Sequence, residues 1–325
     1  MAGRRGPDQP TSDNGELHIS HRLRLQSHRL RLQSHRLRPQ RRPSGYRVAV
    51  SSLAERLGRS ADARLLVVTA SGLGCCHAMN DGVYGAVRDG VATGASLQVP
   101  APWAREAAAR YRGEDVGVQL TLNAEFELYR WAPLTHAPSL HGGDGGFPET
   151  PADLWDHADT DEVRRECRAQ IERAILWGFD VTHISTHLDA MVMRPELFDV
   201  YLEMAVEFQL PVRLTDDTQL AQLGFPVKDL AAADDVLFVD RVVASRRLST
   251  GRDVETIICN LDPGVTEIQL APAVDRPELH AITDDWSRRV SDFEALTDDA
   301  ELRMAIERCG VELISYGEIR DLQRA

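Results

Sequence analysis

Lysine is almost missing from this chain: Lys228 stands alone beside 36 arginines. So lopsided a choice between two cations reads as base-composition bias in the coding sequence. Long apolar runs are missing too. No stretch of about 18 or more apolar residues occurs, which excludes a membrane-spanning helix. Residues 1–47 also lack the continuous apolar core of a secretory signal. Cysteine is sparse, five in all, with no spacing suited to a metal knuckle. Cys75 and Cys76 are adjacent, which fits neither a redox pair nor a zinc site. The expectation is reduced thiols in a cytoplasmic protein.

What charge there is lies unevenly. Residues 1–47 carry 11 arginines against Asp8, Asp13 and Glu16, and the remainder holds 26 basic and 47 acidic residues, a net of −21. An acidic body argues against non-specific binding to nucleic acid. Within the basic segment, Ser20–Gln26 reads SHRLRLQ, Ser27–Gln33 repeats it, and Ser34–Gln40 gives SHRLRPQ. A seven-residue period suits a coiled coil only if two positions per heptad are apolar and correctly spaced. Here two leucines stand two apart between arginines, and three such units bury no core. Residues 1–47 are therefore expected to be a disordered Arg-rich tail. The alternative is a basic arm that touches nucleic acid or anionic lipid. Residues 48–325 are expected to form one domain, and a chain starting near Ser60 is expected to keep its full stability.

From Arg47 onward, strand and helix signals alternate. Arg64–Thr69 is an apolar strand that runs through TASGLG into what reads as a tight glycine turn. Helical spacing follows over Ala78–Asp89, then a strand at Ser96–Val99, a helix over Ala101–Arg112 and a strand at Val116–Leu122. A long loop from Asn123 to about Pro151 is rich in Gly, Pro and His, and loops of that length are usually functional. Asp161–Trp177 is an amphipathic helix with Val163, Cys167, Ile171, Ala174 and Ile175 on one face and Gly178 as its stop. Strands are expected at Val181–His187, Pro211–Leu214, Glu255–Cys259, Thr266–Leu270 and Val311–Ser315, with helices at Pro195–Phe208 and 300–309. Repeated βα units of this kind predict an α/β fold with a mostly parallel sheet, closed as a barrel or nearly so.

Five stretches then look familiar: HAMNDGVYGAVRDGVATGASLQVPAPWAREA, GVQLTLNAE, THAPSL, ECRAQIERAILWGFDVTHISTH and LDPGVTEIQLAPA. In order and spacing they resemble the YdjC-like (ChbG-like) carbohydrate deacetylase family, from about Arg64 to Leu322. The resemblance implies a distorted (β/α) TIM-like barrel. It also implies removal of an acetyl group from an N-acetylated sugar with a divalent metal, Mg or Zn, and a role in carbohydrate metabolism. Such chemistry needs a metal to polarise the carbonyl and activate water, a carboxylate to take its proton, and a histidine to protonate the leaving amine.

The same resemblance shows where this chain departs. Paired acids, base then metal ligand, end the family's first strand; here Ser71 and Gly72 stand there. The third strand's histidine ligand is Gln119, and the late acid histidine of a His-Pro pair is Ala271. Of the family's Thr-His-x-Asp-Ser-His run, Ser185 replaces the acid, while His187 keeps a ligand position. Strand alternation puts His183, Ser185 and His187 on one face, with Asp189 just beyond. A lone retained ligand, at about 3–4 kcal/mol as its share of a structural zinc site, holds metal near millimolar affinity. The site is expected to bind metal weakly or not at all.

The expected function is a catalytically degenerate deacetylase-family barrel that still binds an N-acetylated carbohydrate. Two alternatives stay open: a metal-dependent hydrolase acting through a rebuilt site of His183, His187 and Asp189, and a non-enzymatic partner-binding protein. Whether the chain is an enzyme is thus left open, as is a homodimer. Trp103, Trp131 and Trp155 are candidates to stack on a sugar ring, although core packing would also explain them. Ser71 lacks the surroundings of a nucleophile elbow.

Overall fold

The structure is a computed structural model, and it describes residues 52–244, 251–298 and 300–325. The expected tail and its repeats lie outside the described residues. Seven parallel strands form one sheet: β1 (Arg64–Leu73), β2 (Gly94–Leu97), β3 (Val116–Leu120), β4 (Val181–Thr186), β5 (Arg241–Ala244), β6 (Gly264–Leu270) and β7 (Val311–Leu313). Their order is β4-β3-β2-β1-β6-β5, with β7 paired to the start of β1. Single parallel bridges, Ile184 to Val212 and Val212 to Phe238, carry the sheet from β4 towards β5. The sheet therefore curls back on itself as a distorted (β/α) barrel.

A continuous apolar run still alternates in a buried parallel sheet, because successive side chains point to opposite faces. In β1, Leu66, Val68 and Ala70 enter the main core, which also holds the helix His77–Arg88. Leu65 and Val67 face a smaller core with Leu53 and Ala54 of the short helix Leu53–Arg56 and Ile319 of the C-terminal helix Tyr316–Arg324. That first short helix has no counterpart in the sequence reading, which began the fold at β1.

Several expectations need correction. The glycine turn of TASGLG comes later than expected: β1 continues to Leu73, its register with β2 shifts between Ser71 and Leu73, and the chain turns at Gly74, where the Cys75 amide donates to the Gly72 carbonyl at 3.1 Å. Gly72 has φ +101°, a left-handed value that a glycine adopts freely, so the glycine marks a β-bulge inside the strand. Glu255–Cys259 is helical, the end of a helix over Gly251–Cys259. Pro211–Leu214 contributes only the bridge at Val212. Ile175 is 49% exposed, whereas Val163, Cys167, Ile171 and Ala174 of the helix Thr160–Leu176 are buried as expected. Cys259 and Cys309 form a disulfide, against the expected reduced thiols, while Cys75, Cys76 and Cys167 are free and buried.

The long segment after β3 is tied down by that amphipathic helix. Asp159 caps its N-terminus by accepting from the Asp161 and Glu162 amides. Further along, fully buried Glu166 accepts from the Leu134 and Thr135 amides at 3.0 and 2.9 Å and from the Thr135 hydroxyl at 2.7 Å. Gln170 closes a reciprocal pair with the Thr121 backbone. These bonds replace a strand partner for the backbone and set the path of Asn123–Phe126 over the barrel mouth.

Candidate active site

A cavity of about 300 Å³ opens at the C-terminal ends of the strands, where barrels of this kind display their functional side chains. Ser71 and Gly72 of β1, Gln119 of β3, His187 after β4 and Ala271 after β6 all line it, and so does Asp189. The segment after β3 adds Glu125 and Phe126, and the region around the helix Trp286–Thr297 adds Asp285, Arg288 and Arg289.

His187 is held at both ring nitrogens. Its Nδ1 is 2.9 Å from Gln98 Nε2, and its Nε2 is 2.7 Å from Glu125 Oε2. With the amide donating to Nδ1, the hydrogen bonds assign the proton to Nε2, facing the carboxylate. Burial pushes the Glu125 carboxyl up, but the facing imidazole and the more distant Arg289 outweigh it, and the pKa falls below the ordinary glutamate value. Glu125 is the residue that sequence reasoning missed. It closes the GVQLTLNAE stretch, but only the fold of the following segment turns its carboxylate onto His187.

Asp189 is committed elsewhere. It accepts from Thr215 Oγ1 at 3.0 Å and lies 3.3 Å from Arg213 Nη1. Arg213 in turn lies 3.4 Å from Glu267, which accepts from the Tyr316 hydroxyl at 2.8 Å. Leu188 and Asp189 both have left-handed backbone, φ 53° and 55°, a turn that non-glycine residues rarely take. The buried ion-pair network pins the Asp189 end of that turn.

His183 does not line the cavity. Its ring stacks on Tyr316 with centroids 4.0 Å apart, near Ser96 Oγ at 3.4 Å and Thr182 Oγ1 at 3.2 Å. The ring also fills the space beside Gly117, where a Cβ would come within 2.4 Å of it. Burial, and then Arg213, push its pKa down to about 3, so it is neutral at ordinary pH. His183, His187 and Asp189 therefore do not converge as a rebuilt site. The β-strand period puts them on one side but says nothing of depth: His183 is packed within the barrel, His187 at its mouth.

The tryptophans also sit away from the cavity lining. Trp131 donates to the Asn123 carbonyl and Trp155 to that of Ala190, while Trp103 packs on His77. Phe126 is the aromatic ring in the cavity wall.

A family profile described as YdjC-like protein matches residues 65–307. The chain belongs to this family. A carbohydrate deacetylase from Thermus thermophilus is 36% identical over 262 residues, which is 78% of this YdjC-like chain and 94% of that protein. Another from Geobacillus stearothermophilus is 29% identical, with 80% and 99% covered. A chitooligosaccharide deacetylase from Yersinia pestis is 31% identical over half of this chain and 63% of its own length. The crystal structure of a putative cellobiose-phosphate cleavage protein from Enterococcus faecalis superposes with a TM-score of 0.68. It is 24% identical, with 79% and 99% of the two chains covered, and supports the fold.

The residues present do not fit the divalent metal that the family implies. Among the described residues no three His, Cys, Asp or Glu side chains converge on one point. In the cavity wall His187 and Glu125 meet, and they are bonded to each other. A Cβ at position 72 would sit 3.9 Å from Arg289 Nη1, so a guanidinium stands beside the place where a ligand carboxylate would begin. A second cation there is repelled rather than bound.

Proposed function

We propose that this YdjC-like chain keeps a sugar-binding cavity and has lost the hydrolytic chemistry of its carbohydrate deacetylase relatives. The observation that carries the reading is His187. Its ring retains a ligand position by resemblance, yet both nitrogens are engaged by Gln98 and Glu125, leaving no free lone pair to coordinate metal. Around it the cavity wall holds Ser71 and Ala271, which the resemblance aligns with the base and the acid, and Gly72 and Gln119, which it aligns with two ligands. Loss of general acid or base alone costs about 10²–10⁴-fold each.

The rival hydrolase with a rebuilt metal site finds little support, because His183 is packed elsewhere and Asp189 is bound to Arg213 and Thr215. A protein whose cleft has closed to serve only a partner is disfavoured by the open cavity of about 300 Å³.

The test is acetate release from N-acetylglucosamine and diacetylchitobiose, with magnesium or zinc supplied. We expect none above the blank; sustained release that disappears in His187→Ala would overturn the reading. Ser71→Asp with Gly72→Asp is expected to stay inactive, since Gln119 and Ala271 still withhold a ligand and an acid. Adding Gln119→His and Ala271→His should restore metal binding first and turnover second. The left-handed φ of +101° at Gly72 makes its replacement the costliest step, at about 1–2 kcal/mol.

A further inference from the structure

Three arginines line the cavity, and two of them are matched by carboxylates. Arg213 lies between Asp189 and Glu267. Arg288 is bonded to Asp285 and Asp292. Arg289 differs. Its nearest carboxylate, Asp285, is 3.8 Å from Nε and already serves Arg288. As with Arg213, the buried Nε makes no hydrogen bond; unlike Arg213, whose Nη1 bonds Asp189, its Nη1 reaches only the Met79 thioether at 3.9 Å. A guanidinium offers five donors in a planar fork, and a buried one left without a partner is costly.

A second group in the same wall is also unmatched. Gln119 is 4% exposed, and its Oε1 is buried without a partner. The cavity thus presents an unused cationic fork, an unused carbonyl acceptor and the Phe126 ring. We propose that it binds a monosaccharide bearing a carboxylate, with the carboxylate on Arg289, a sugar hydroxyl donating to Gln119 Oε1 and the ring against Phe126. This rests on the reading that the cavity still takes a sugar, and it names the kind.

Each feature narrows the ligand. One free fork matches a planar single negative charge through two parallel hydrogen bonds. A phosphate dianion needs more positive charge than one unmatched arginine, and the Glu125 carboxylate in the same wall opposes it. A neutral acetylated sugar leaves Arg289 with only the 3.8 Å approach of Asp285. The volume lies at the small end of ligand pockets, about 300–1,000 Å³, and suits one ring rather than a chain.

Titration calorimetry on the full chain tests this with glucuronate and galacturonate against glucose, N-acetylglucosamine and inorganic phosphate. We expect at least one uronate to bind one-to-one and at least tenfold tighter than every neutral sugar and phosphate. Arg289→Gln should erase that preference and Gln119→Leu should weaken uronate binding severalfold. Gly72→Asp gives a second route, since it sets a carboxylate beside Arg289 and should also remove uronate binding. Equal binding of neutral sugars, equal binding of phosphate, or a preference that survives Arg289→Gln in folded protein would overturn the proposal. Binding of N-acetylglucosamine with neither uronate would overturn it while leaving the sugar-cavity reading intact. Acetate release would instead overturn the loss of chemistry and leave this proposal to the titrations.

Discussion

His183 shows how far one residue's burial changes its meaning. As a strand histidine beside His187 it reads as a ligand; as a ring stacked on Tyr316 it is a neutral core side chain with a pKa pushed down to about 3. The unfolded chain titrates this group near 6.5, so the unfolded state binds the extra proton first as pH falls. Stability from the neutral ring is fully present above 6.5 and is lost as pH drops towards 3, at about 1.4 kcal/mol per pH unit. Urea unfolding of the parent and of His183→Gln between pH 7 and 4 should therefore converge or cross at the acid end, because the amide carries no such penalty. A stability difference independent of pH would show that the ring is already protonated or solvated when folded.

At the scale of elements, the helix Thr160–Leu176 matters to the site although it supplies no residue to it. Glu166, 0% exposed, holds two backbone amides and a hydroxyl of the segment that leads away from Glu125 and Phe126. Glu166→Ala strands those donors in a buried place and leaves a gap. We expect a loss of about 2–4 kcal/mol in unfolding free energy. Sugar binding should weaken as well, since the Glu125 to His187 contact depends on the same segment. Unchanged stability would mean that water replaces the carboxylate without cost.

At the scale of the whole molecule, the short helix Leu53–Arg56 belongs to the fold. Ser52 and Glu55 form a capping box, and Leu53 and Ala54 are buried in the smaller core beside Leu65 and Val67, on the face of β1 that also carries Ser71. These contacts argue against the expectation that a chain starting near Ser60 keeps its full stability. A chain beginning at Arg59, which keeps that residue's pairs with Glu312 and Glu318, should lose about 2–4 kcal/mol relative to one beginning at Ser51. Thermal unfolding of the two chains checks this, and equal midpoints would show that the helix adds nothing. No helix among the described residues is long and apolar enough to cross a membrane.

Read alone, the sequence determined the βα alternation and the family by resemblance, and that resemblance is also what proposes four replaced site positions. Each of these is a local pattern: apolar period, glycine placement and residue type at a given spacing. Other features depend on segments far apart in the chain. Glu125 meets His187 across 62 positions, and Arg289 approaches Gly72 from a helix more than 200 residues later. The bulge at Gly72 and the helix at Gly251–Cys259 likewise escaped a reading by period, because short apolar runs suit either structure until their neighbours are known. Which histidine is core and which faces the cavity was decided only by tertiary packing. Depth in a barrel is set by the strands on either side, and no spacing along one strand encodes it.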